Sequence, residues 1–309
     1  MKSRLSDCEI CPRRCGVNRL KDERGDCNSG ALPVISAACD HHGEEPAISG
    51  TRGSGTIFFS NCNLKCVYCQ NYQISQNKNC QHVNEVDSRS LALKMLYLQD
   101  ELGCHNINLV SPTHFVPHIL EALLDAIPMG LRLPLVYNTN AYDSIETLRE
   151  LDGIVDIYLP DIKYSSDKYA MKYSRARNYV DSSRQAIREM HRQVGNLVMD
   201  GDGIAKRGLI VRHLILPNDI AGSSDSLSWL VNNVSTEVTL SIMAQYSPYH
   251  LAPRVPLLSR KISGFEYQTV LNLLERLGIE NGWVQELDSS EIYIPDFKRD
   301  GHPFSMQVK

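Results

Sequence analysis

The sequence predicts an α/β protein built around a parallel β-sheet. From Thr56 onward, short apolar runs rich in β-branched residues alternate with longer runs of helical periodicity. Strand, helix and strand in repeated succession form a parallel sheet with right-handed crossovers. About six predicted strands are too few for a closed eight-stranded barrel. We therefore expect an open, partial barrel, with a doubly wound sheet as the alternative.

The individual elements follow from local pattern. Segments predicted as strands are short and apolar: 56–59, 107–110, 133–137, 154–159, 209–216 and 238–243. Segments predicted as helices have apolar residues at helical spacing: 88–102, 117–127, 144–151, 223–231 and 265–277. The stretch 165–207 is longer than one crossover requires. We expect it at the barrel rim, where it either covers a site or has no chemical role.

Composition limits the classes of protein that this chain can be. Its 309 residues are 42% hydrophobic, which supplies enough apolar side chain for a core and excludes wholesale disorder. The formal net charge is -4 and the basic residues are scattered, so binding of nucleic acid through bulk charge is not expected. No apolar segment is long enough to span a membrane, so we expect a cytoplasmic protein with no membrane partner.

The chain divides into three predicted parts. Residues 1–50 lack a sustained period and are rich in Cys, Gly, Pro and charge. Such a Cys-rich extension needs a metal or a neighbouring domain to order it. Residues 51–260 carry the alternating strands and helices of the barrel. Residues 261–309 contain the last predicted helix and an irregular tail, strand-like over 291–294, that we expect to pack on the barrel.

Three cysteines give the strongest indication of chemistry. Cys62, Cys66 and Cys69 come directly after the predicted strand 56–59. The spacing C-x3-C-x2-C lets one short loop bind three irons of a cubane iron–sulfur cluster, which leaves the fourth iron without a protein ligand. An open coordination position is typical of catalytic metal sites. Loops at the carboxyl ends of strands also carry the active sites of parallel α/β barrels.

Three other interpretations of this triplet remain open. Half of a zinc site would normally require a fourth protein ligand. An electron-transfer cluster would require a fourth cysteine at ferredoxin spacing, and the next one, Cys80, comes eleven residues later. The spacing could also be a coincidence. The open cluster is the interpretation that accounts for both the spacing and the preceding strand.

Four further cysteines lie in the Cys-rich extension, at Cys8, Cys11, Cys15 and Cys27. Four thiols suffice to close a tetrahedral zinc site or to hold a second iron–sulfur cluster, so this set is a candidate auxiliary metal site. Arginines nearby favour thiolates. The alternative is that these cysteines bind nothing. The isolated cysteines are expected to be small buried apolar residues: Cys39, Cys80 and Cys104.

The stretch Cys62-Asn-Leu-Lys-Cys66-Val-Tyr68-Cys69 resembles the C-x3-C-x-aromatic-C signature of the radical S-adenosylmethionine (SAM) superfamily. The longer segment 50–75, GTRGSGTIFFSNCNLKCVYCQNYQIS, resembles its branch of pyruvate formate-lyase activating-enzyme-like proteins. The resemblance extends to the start CPRRCGVNRL and to the tail WVQELDSSEIYIPDF. It identifies the superfamily and leaves the substrate unassigned.

The resemblance implies a (β/α)6 partial TIM barrel and a [4Fe-4S] cluster bound by Cys62, Cys66 and Cys69. SAM would chelate the open iron, and one electron from a donor such as flavodoxin or ferredoxin would cleave it into methionine and a 5′-deoxyadenosyl radical. The radical would abstract hydrogen from a protein or peptide substrate, so no side chain need act as acid or base. The rival hypotheses are modification of a small metabolite and a non-catalytic metal-binding or electron-transfer protein.

The resemblance also implies how SAM is held at two strand ends. After the fourth predicted strand, Asp161-Ile-Lys163 resembles the Asp-Leu-Lys element of glycyl-radical activases, in which the lysine meets the SAM carboxylate. A cation suits that position because the carboxylate is partly desolvated against the cluster. After the third strand, Asn138 and Asn140 resemble a polar Asn-Thr-Asn segment that faces the ribose and the carboxylate.

The other strand ends depart further from the family pattern. Relatives often hold the SAM amino group with a Gly-Gly-Glu-like turn, where this chain has Ser111-Pro-Thr113. On the fifth strand, Arg212 or His213 must face the interior because side chains alternate, and we select Arg212. The set of candidate SAM contacts is Tyr68, Gln70, Ser111, Thr113, Asn138, Asn140, Asp161, Lys163, Arg212 and Gln245, with His250 as the alternative to Gln245 after the sixth strand.

Overall fold

The computed structural model describes residues 3–76, 85–287, 289, 294–299 and 301–304. Within these residues the chain forms one nine-stranded sheet. The strands are β1 (Ile35–His41), β2 (Ser54–Phe59), β3 (Ile107–Val110), β4 (Leu135–Thr139), β5 (Ile157–Pro160), β6 (Val198–Met199), β7 (Ala205–Leu214), β8 (Thr239–Met243) and β9 (Gly282–Val284). Each of the six strands predicted from the sequence is present, with ends shifted by a few residues. The strand-like pattern predicted over 291–294 falls largely outside the described residues, as does Cys80.

Helices fill the connections between the strands. They are α1 (Ser3–Ser6), α2 (Pro46–Ser49), α3 (Tyr72–Ser75), α4 (Ser88–Asp100), α5 (Val116–Ala126), α6 (Ile145–Arg149), α7 (Asp167–Ser174), α8 (Tyr179–Val194), α9 (Ser223–Asn233) and α10 (Gly264–Leu277). In the described part of the chain, none of these helices has the length and apolar character needed to cross a membrane.

The order of the strands makes the sheet a partial barrel. Strands β2, β3, β4, β5, β7 and β8 are neighbours in that order and run parallel, with helices in every connection. A doubly wound sheet would instead reverse its strand order at a switch point. The predicted (β/α)6 partial barrel is therefore confirmed. Strands β1 and β9 are the two ends of the path, so the described sheet is open between them.

Both flanking segments add a strand that the sequence did not predict. Strand β1 pairs antiparallel with β2 at one edge, and β9 pairs parallel with β8 at the other. The sequence of β1, ISAACDH, has small and polar residues that weaken a strand pattern, and β9 has only three residues. The Cys-rich extension and the C-terminal segment are therefore bound to the barrel by backbone hydrogen bonds.

Helix α2 closes the barrel at the amino ends of the parallel strands, which we call its lower end. Its residues Ala47 and Ile48 pack in an apolar cluster with inward-facing residues near the start of β4 and β5, among them Val136 and Ile157. Ile48 is fully buried. Because this end is filled with side chains, the space that remains inside the barrel lies at the carboxyl ends of the strands.

The long segment 165–207 mainly completes the crossover from β5 to β7. Helix α8 packs against α6, β5 and β7, in the position of an ordinary crossover helix. Helix α7 precedes it and ends at Ser174, where Arg175 adopts the left-handed conformation. Of the two expected alternatives, covering a site or having no chemical role, the first is not observed among the described residues, and α7 instead supports the cysteine loop from outside the barrel.

We predict that Ile48→Ala lowers the free energy of unfolding by about 2–5 kcal/mol, because it leaves a cavity where the side chain filled the barrel interior. Ile127→Ala is the matched control, since Ile127 lies at the end of α5 with 59% of its surface exposed. That change should shift stability by no more than about 0.5 kcal/mol. Denaturant unfolding of both variants checks this, and equal effects would contradict the barrel plug.

Candidate active site at the strand ends

A cavity of about 430 Å³ lies at the carboxyl ends of the parallel strands, above the α2 plug. It is lined by the three cysteines of the predicted cluster loop, Cys62, Cys66 and Cys69. Nearly all the candidate SAM contacts also line it: Tyr68, Gln70, Ser111, Asn138, Asn140, Asp161, Lys163, Arg212 and Gln245. The structure therefore brings together side chains that the sequence distributes over the whole barrel.

The cysteine loop is fixed by backbone hydrogen bonds. After β2, Asn61 adopts a left-handed conformation (φ 72°), which asparagine tolerates better than most residues. The amide of Lys65 then donates to the carbonyl of Ser174 at 3.0 Å, and the amide of Val67 donates to the carbonyl of Tyr173 at 2.8 Å. These bonds attach the loop to the last turn of α7, so its cysteines face the cavity.

Each of the three thiols has a polar partner. The partners are Asn140 Nδ2 for Cys62 at 3.4 Å, Ser174 Oγ for Cys66 at 3.0 Å and Ser75 Oγ for Cys69 at 3.2 Å. Hydrogen bonds of this kind orient metal-binding sulfurs and tune the potential of an iron–sulfur cluster. The sequence offered no signal for Ser174, which is remote from the loop along the chain.

A chain of hydroxyl groups leads to the Cys66 sulfur. Tyr68 donates to the hydroxyl of Tyr164 at 2.8 Å, and Tyr164 lies 2.7 Å from Ser174 Oγ. The Ser174 hydroxyl has one proton, which it donates to the Cys66 sulfur. Tyr164 must therefore be the donor in its hydrogen bond with Ser174. The aromatic residue of the predicted signature thus helps to orient a cluster ligand through two intermediates.

Burial favours the protonated form of these thiols in the absence of a metal. Burial raises the pKa of the Cys69 thiol to about 12, and burial also raises the pKa of Cys66. At neutral pH these thiols remain protonated until a metal replaces the proton, because a coordinating cation stabilises the thiolate. Metal or cluster binding at this loop therefore releases protons.

The donor set fits a cubane cluster. Among the described residues, no three His, Cys, Asp or Glu side chains converge closely enough to share a single metal ion. A cubane cluster makes a different demand, since each thiolate binds its own iron. Three thiols from one loop around the wall of a cavity meet that demand, and the cavity leaves room beside them for a ligand of the fourth iron.

Lys163 provides a permanent positive charge in the cavity. Its Nζ donates to Asp161 Oδ2 at 2.6 Å, and 17% of its side chain remains exposed. Burial alone would lower the pKa of Lys163, but the Asp161 carboxylate and Cys66 outweigh burial and raise it above its ordinary value. The backbone amide of Lys163 donates to the hydroxyl of Tyr179 at 3.0 Å, which fixes this strand end.

Arg212 also faces the cavity, but it is engaged by two carboxylates that the sequence analysis missed. Its Nε donates to Glu45 at 2.7 Å, its Nη2 bonds both Glu45 and Glu44, and Asn108 donates to Glu44 at 2.9 Å. Burial opposes ionisation of Glu45, yet the adjacent guanidinium lowers the pKa of this carboxyl below its usual value. Arg212 therefore joins the barrel wall to the segment before α2.

Thr113 is the candidate SAM contact that the structure places away from the cavity. Ser111 lines the cavity in a left-handed conformation (φ 56°), and the chain then turns away into a short 3-10 helix. Thr113 is buried there and donates to Asp143 at 2.7 Å. His213 faces the other side of β7 as expected, where it contacts Ser223 at 2.9 Å.

The C-terminal segment contributes to the cavity wall. Gln285 donates to Gln245 at 3.1 Å, and Pro295 and Phe304 also line the cavity. Phe304 stacks on His41 of β1 with ring centroids 4.1 Å apart. The segment before α2 supplies a second part of the wall, whereas no residue of the described segment 165–207 does.

The N-terminal cysteines lie outside this cavity. Cys8 packs in a small apolar cluster with Leu5 and Ile10, and Cys15 lies against it. Cys8, Cys11, Cys15 and Cys27 are all free thiols.

Comparison with known proteins identifies the family. The family model of the radical SAM superfamily matches residues 56–201, which include most of β2, the cysteine loop and strands β3 to β6. An uncharacterised protein of Methanocaldococcus jannaschii is 30% identical over 285 residues, which are 90% of this chain and 77% of that protein.

Two similar solved structures share less sequence identity with this chain than that relative does. SuiB of Streptococcus suis, solved with bound SAM, gives a TM-score of 0.49 and 12% identity over 74% of this chain, and the chain covers 50% of SuiB. Methylornithine synthase (PylB) gives a TM-score of 0.43 and 17% identity over 80% of this chain and 74% of its own. With its cysteine loop at the carboxyl end of β2 and the family match across that loop, this chain belongs to the radical SAM superfamily.

Proposed function

We propose that this protein is an activating-enzyme-like radical SAM enzyme that acts on a protein or peptide. The observation that carries the proposal is the cavity in which the thiols of Cys62, Cys66 and Cys69 lie beside Lys163. A [4Fe-4S] cluster at these thiols would supply the electron that cleaves SAM into methionine and a 5′-deoxyadenosyl radical, which removes a hydrogen atom from the substrate.

The residues of the chain bind and orient. Lys163 is the proposed partner of the SAM carboxylate, because it is the cation of the cavity wall whose nearest charge is a single carboxylate. Arg212 is paired with Glu44 and Glu45, so its role is to hold the wall. Asn138 also lies on the cavity wall, where its Oδ1 accepts from Arg212 Nη1 at 3.4 Å, and it is a proposed contact of the polar edge of SAM. Enclosure by the wall protects a radical from water.

The size and position of the cavity favour a macromolecular substrate. About 430 Å³ lies toward the lower end of the range for a site that binds one small molecule. With SAM in place, little room remains for a second complete molecule. The described sheet is open between β1 and β9. The C-terminal segment lies against β1 in this gap, so a polypeptide loop would instead reach the cavity from the carboxyl ends of the strands, with one carbon atom in the cavity and most of the substrate outside.

SAM cleavage tests the core of the proposal. Anaerobically reconstituted protein with SAM and a low-potential reductant should form methionine and 5′-deoxyadenosine slowly, and an added protein partner should accelerate it. Deuterium at the target carbon of that partner should appear in 5′-deoxyadenosine, as measured by mass spectrometry. Replacing Cys62, Cys66 and Cys69 together by Ala should abolish cleavage, because the cluster has lost its protein ligands.

Cys104→Ala is the control for this experiment, since Cys104 is a buried free thiol in another part of the barrel. It should cleave SAM as the unaltered protein does. Cleavage that survives in the triple variant would overturn the assignment of the loop. Deuterium transfer from a small metabolite and from no protein partner would instead replace the activating-enzyme-like hypothesis by metabolite modification.

Ser174→Ala should make the reduction potential of the cluster more negative. The variant removes the hydrogen bond to the Cys66 sulfur, and such bonds stabilise the reduced, more negative state of a cluster. Ser183→Ala is the control, because Ser183 is a buried serine of α8 whose hydroxyl donates to the carbonyl of Val180 at 3.2 Å, within its own helix. A redox titration followed by electron paramagnetic resonance measures both, and an unshifted potential in Ser174→Ala would contradict this role.

Lys163→Ala should weaken SAM binding by roughly 1.5–3 kcal/mol, the range for a hydrogen bond to a charged group, which is about 10- to 150-fold in Kd. Iron content should stay unchanged, since Lys163 is not a cluster ligand. Lys168→Ala is the control, because Lys168 is exposed on α7. Calorimetric titration with SAM checks this, and equal affinity in both variants would mean that the carboxylate binds elsewhere.

A further inference from the structure

The four cysteines of the N-terminal extension are gathered in one buried place. Cys8, Cys11 and Cys27 are 6–7% exposed, and Cys15 is half-buried. The Cys15 thiol donates to the backbone carbonyl of Cys8 at 3.8 Å and packs against the apolar cluster that contains Cys8. Cys11 and Cys15 are each near enough to Cys27 to interact with it electrostatically. The four thiols thus come from one segment of twenty residues, within which the Cys15 sulfur lies near both Cys8 and Gly25.

The backbone is folded to bring these thiols together. The amide of Cys8 donates to the carbonyl of Val17 at 3.1 Å, and the amide of Gly16 donates to the carbonyl of Cys8 at 3.1 Å. These bonds close the chain around Cys11. At Gly25 a Cβ atom would lie 2.4 Å from the Cys15 sulfur. Only glycine permits this approach, by which the segment that carries Cys27 reaches the other three cysteines.

Two arginine side chains lie beside the thiols with unused hydrogen-bonding capacity, and one of them, Arg13, also pairs with Asp26 at 3.7 Å. In the described part of the chain, the Nη2 atoms of Arg13 and Arg19 are both buried without a hydrogen-bond partner. Arg19 is 1% exposed, and its other nitrogens donate to the carbonyls of Gly30 and His114. Buried cations normally have a partner of opposite charge. The Arg19 guanidinium is close enough to the Cys8 sulfur to stabilise negative charge there.

We propose that Cys8, Cys11, Cys15 and Cys27 bind a second [4Fe-4S] cluster, which passes electrons to the cluster at the strand ends. Four thiolates around such a cluster give a net negative charge, which supplies a partner of opposite charge for Arg19, whose printed contacts are carbonyl oxygens, and adds to that of Asp26 beside Arg13. Three closely spaced cysteines followed by a remote fourth are typical of cubane ligation. Structural zinc more often takes two separated pairs.

The position of this site makes electron transfer to the first cluster direct. Arg13 comes two residues after Cys11, and its Nε donates to the carbonyl of Asn63 at 2.8 Å. Asn63 follows Cys62 in the chain. A short covalent path and one hydrogen bond therefore connect the ligands of the two centres. The Arg13 guanidinium also lies over the ring of Tyr142. The backbone carbonyl of Tyr142 in turn accepts a hydrogen bond from Asn63 Nδ2 at 2.7 Å.

The proposed electron transfer rests on the proposed function, whereas the binding of a second cluster does not. In each cycle an external one-electron donor such as flavodoxin is oxidised and the N-terminal cluster is reduced. That cluster then returns to its oxidised state as it reduces the first cluster. No bond forms or breaks in these two steps, and no proton needs to move.

Iron content tests the site without reference to SAM. The reconstituted full chain should contain about eight irons, and the variant with Cys62, Cys66 and Cys69 all changed to Ala should keep about four, as one cubane. That variant should still give a cluster signal by Mössbauer spectroscopy and electron paramagnetic resonance. About four irons in the full chain and none in the variant would overturn the proposal, as would one zinc ion in place of the second cluster.

Matched cysteine changes locate the remaining iron. In the triple-variant background, Cys8→Ser or Cys11→Ser should remove it, whereas Cys39→Ser should retain it because Cys39 is an isolated buried thiol of β1. Circular dichroism shows whether each variant has folded. If the Cys8 and Cys11 variants fail to fold, the iron count of the full chain still decides the proposal.

Electron transfer has a separate readout. In a chain with the first cluster intact, Cys8→Ser should slow SAM cleavage driven by flavodoxin more than cleavage driven by dithionite, so the ratio of the two rates changes severalfold. An unchanged ratio would remove the electron-transfer role. Absence of SAM cleavage in the unaltered protein, with about eight irons present, would overturn the proposed function and leave the second cluster in place.

Discussion

The attachment of the cysteine loop to the end of α7 is the constraint on which the site depends. Backbone bonds from Lys65 and Val67 to the last turn of α7 fix the loop, and the Ser174 hydroxyl reaches the Cys66 sulfur from the same turn. Without this support, the C-x3-C-x2-C spacing alone would not hold the three sulfurs in fixed positions around the cavity. Helix α7, in the long β5–β7 crossover, therefore supports the cysteine loop, although it lies outside the cavity.

A second constraint comes from helix α2 and the residues just before it, at the lower end of the barrel. Helix α2 fills the lower barrel with Ile48, and the two glutamates just before it hold Arg212 against the wall. Breaking one partner of a buried ion pair is costly, so this contact joins the N-terminal extension firmly to β7. The N-terminal extension therefore has two roles. Its second half shapes the cavity, and its first half carries the four cysteines. Both halves contact the cluster loop or the cavity that the loop faces.

The sequence predicted what depends on local spacing. The cysteine triplet, Lys163 and the six parallel strands could be found because each is a pattern within a few residues. Ser174 is 108 residues from Cys66 and Glu44 is 168 residues from Arg212, and no local pattern encodes such pairings. Thr113 was placed in the site because the left-handed turn at Ser111 could not be inferred from residue type. Strand β1 was missed because backbone pairing with β2, and not its own apolar pattern, makes it a strand.

The central claim is that the three thiols leave one iron open to SAM in the cavity beside Lys163. Electron–nuclear double resonance on the reduced cluster tests it most directly, with SAM labelled isotopically at its amino nitrogen and its carboxylate oxygen. The measurement is made on the full chain and on a chain in which the N-terminal cysteines are replaced, so that a second cluster cannot give the signal. We expect hyperfine coupling to both labels in both proteins. A cluster that is present but coupled to neither label would contradict the account.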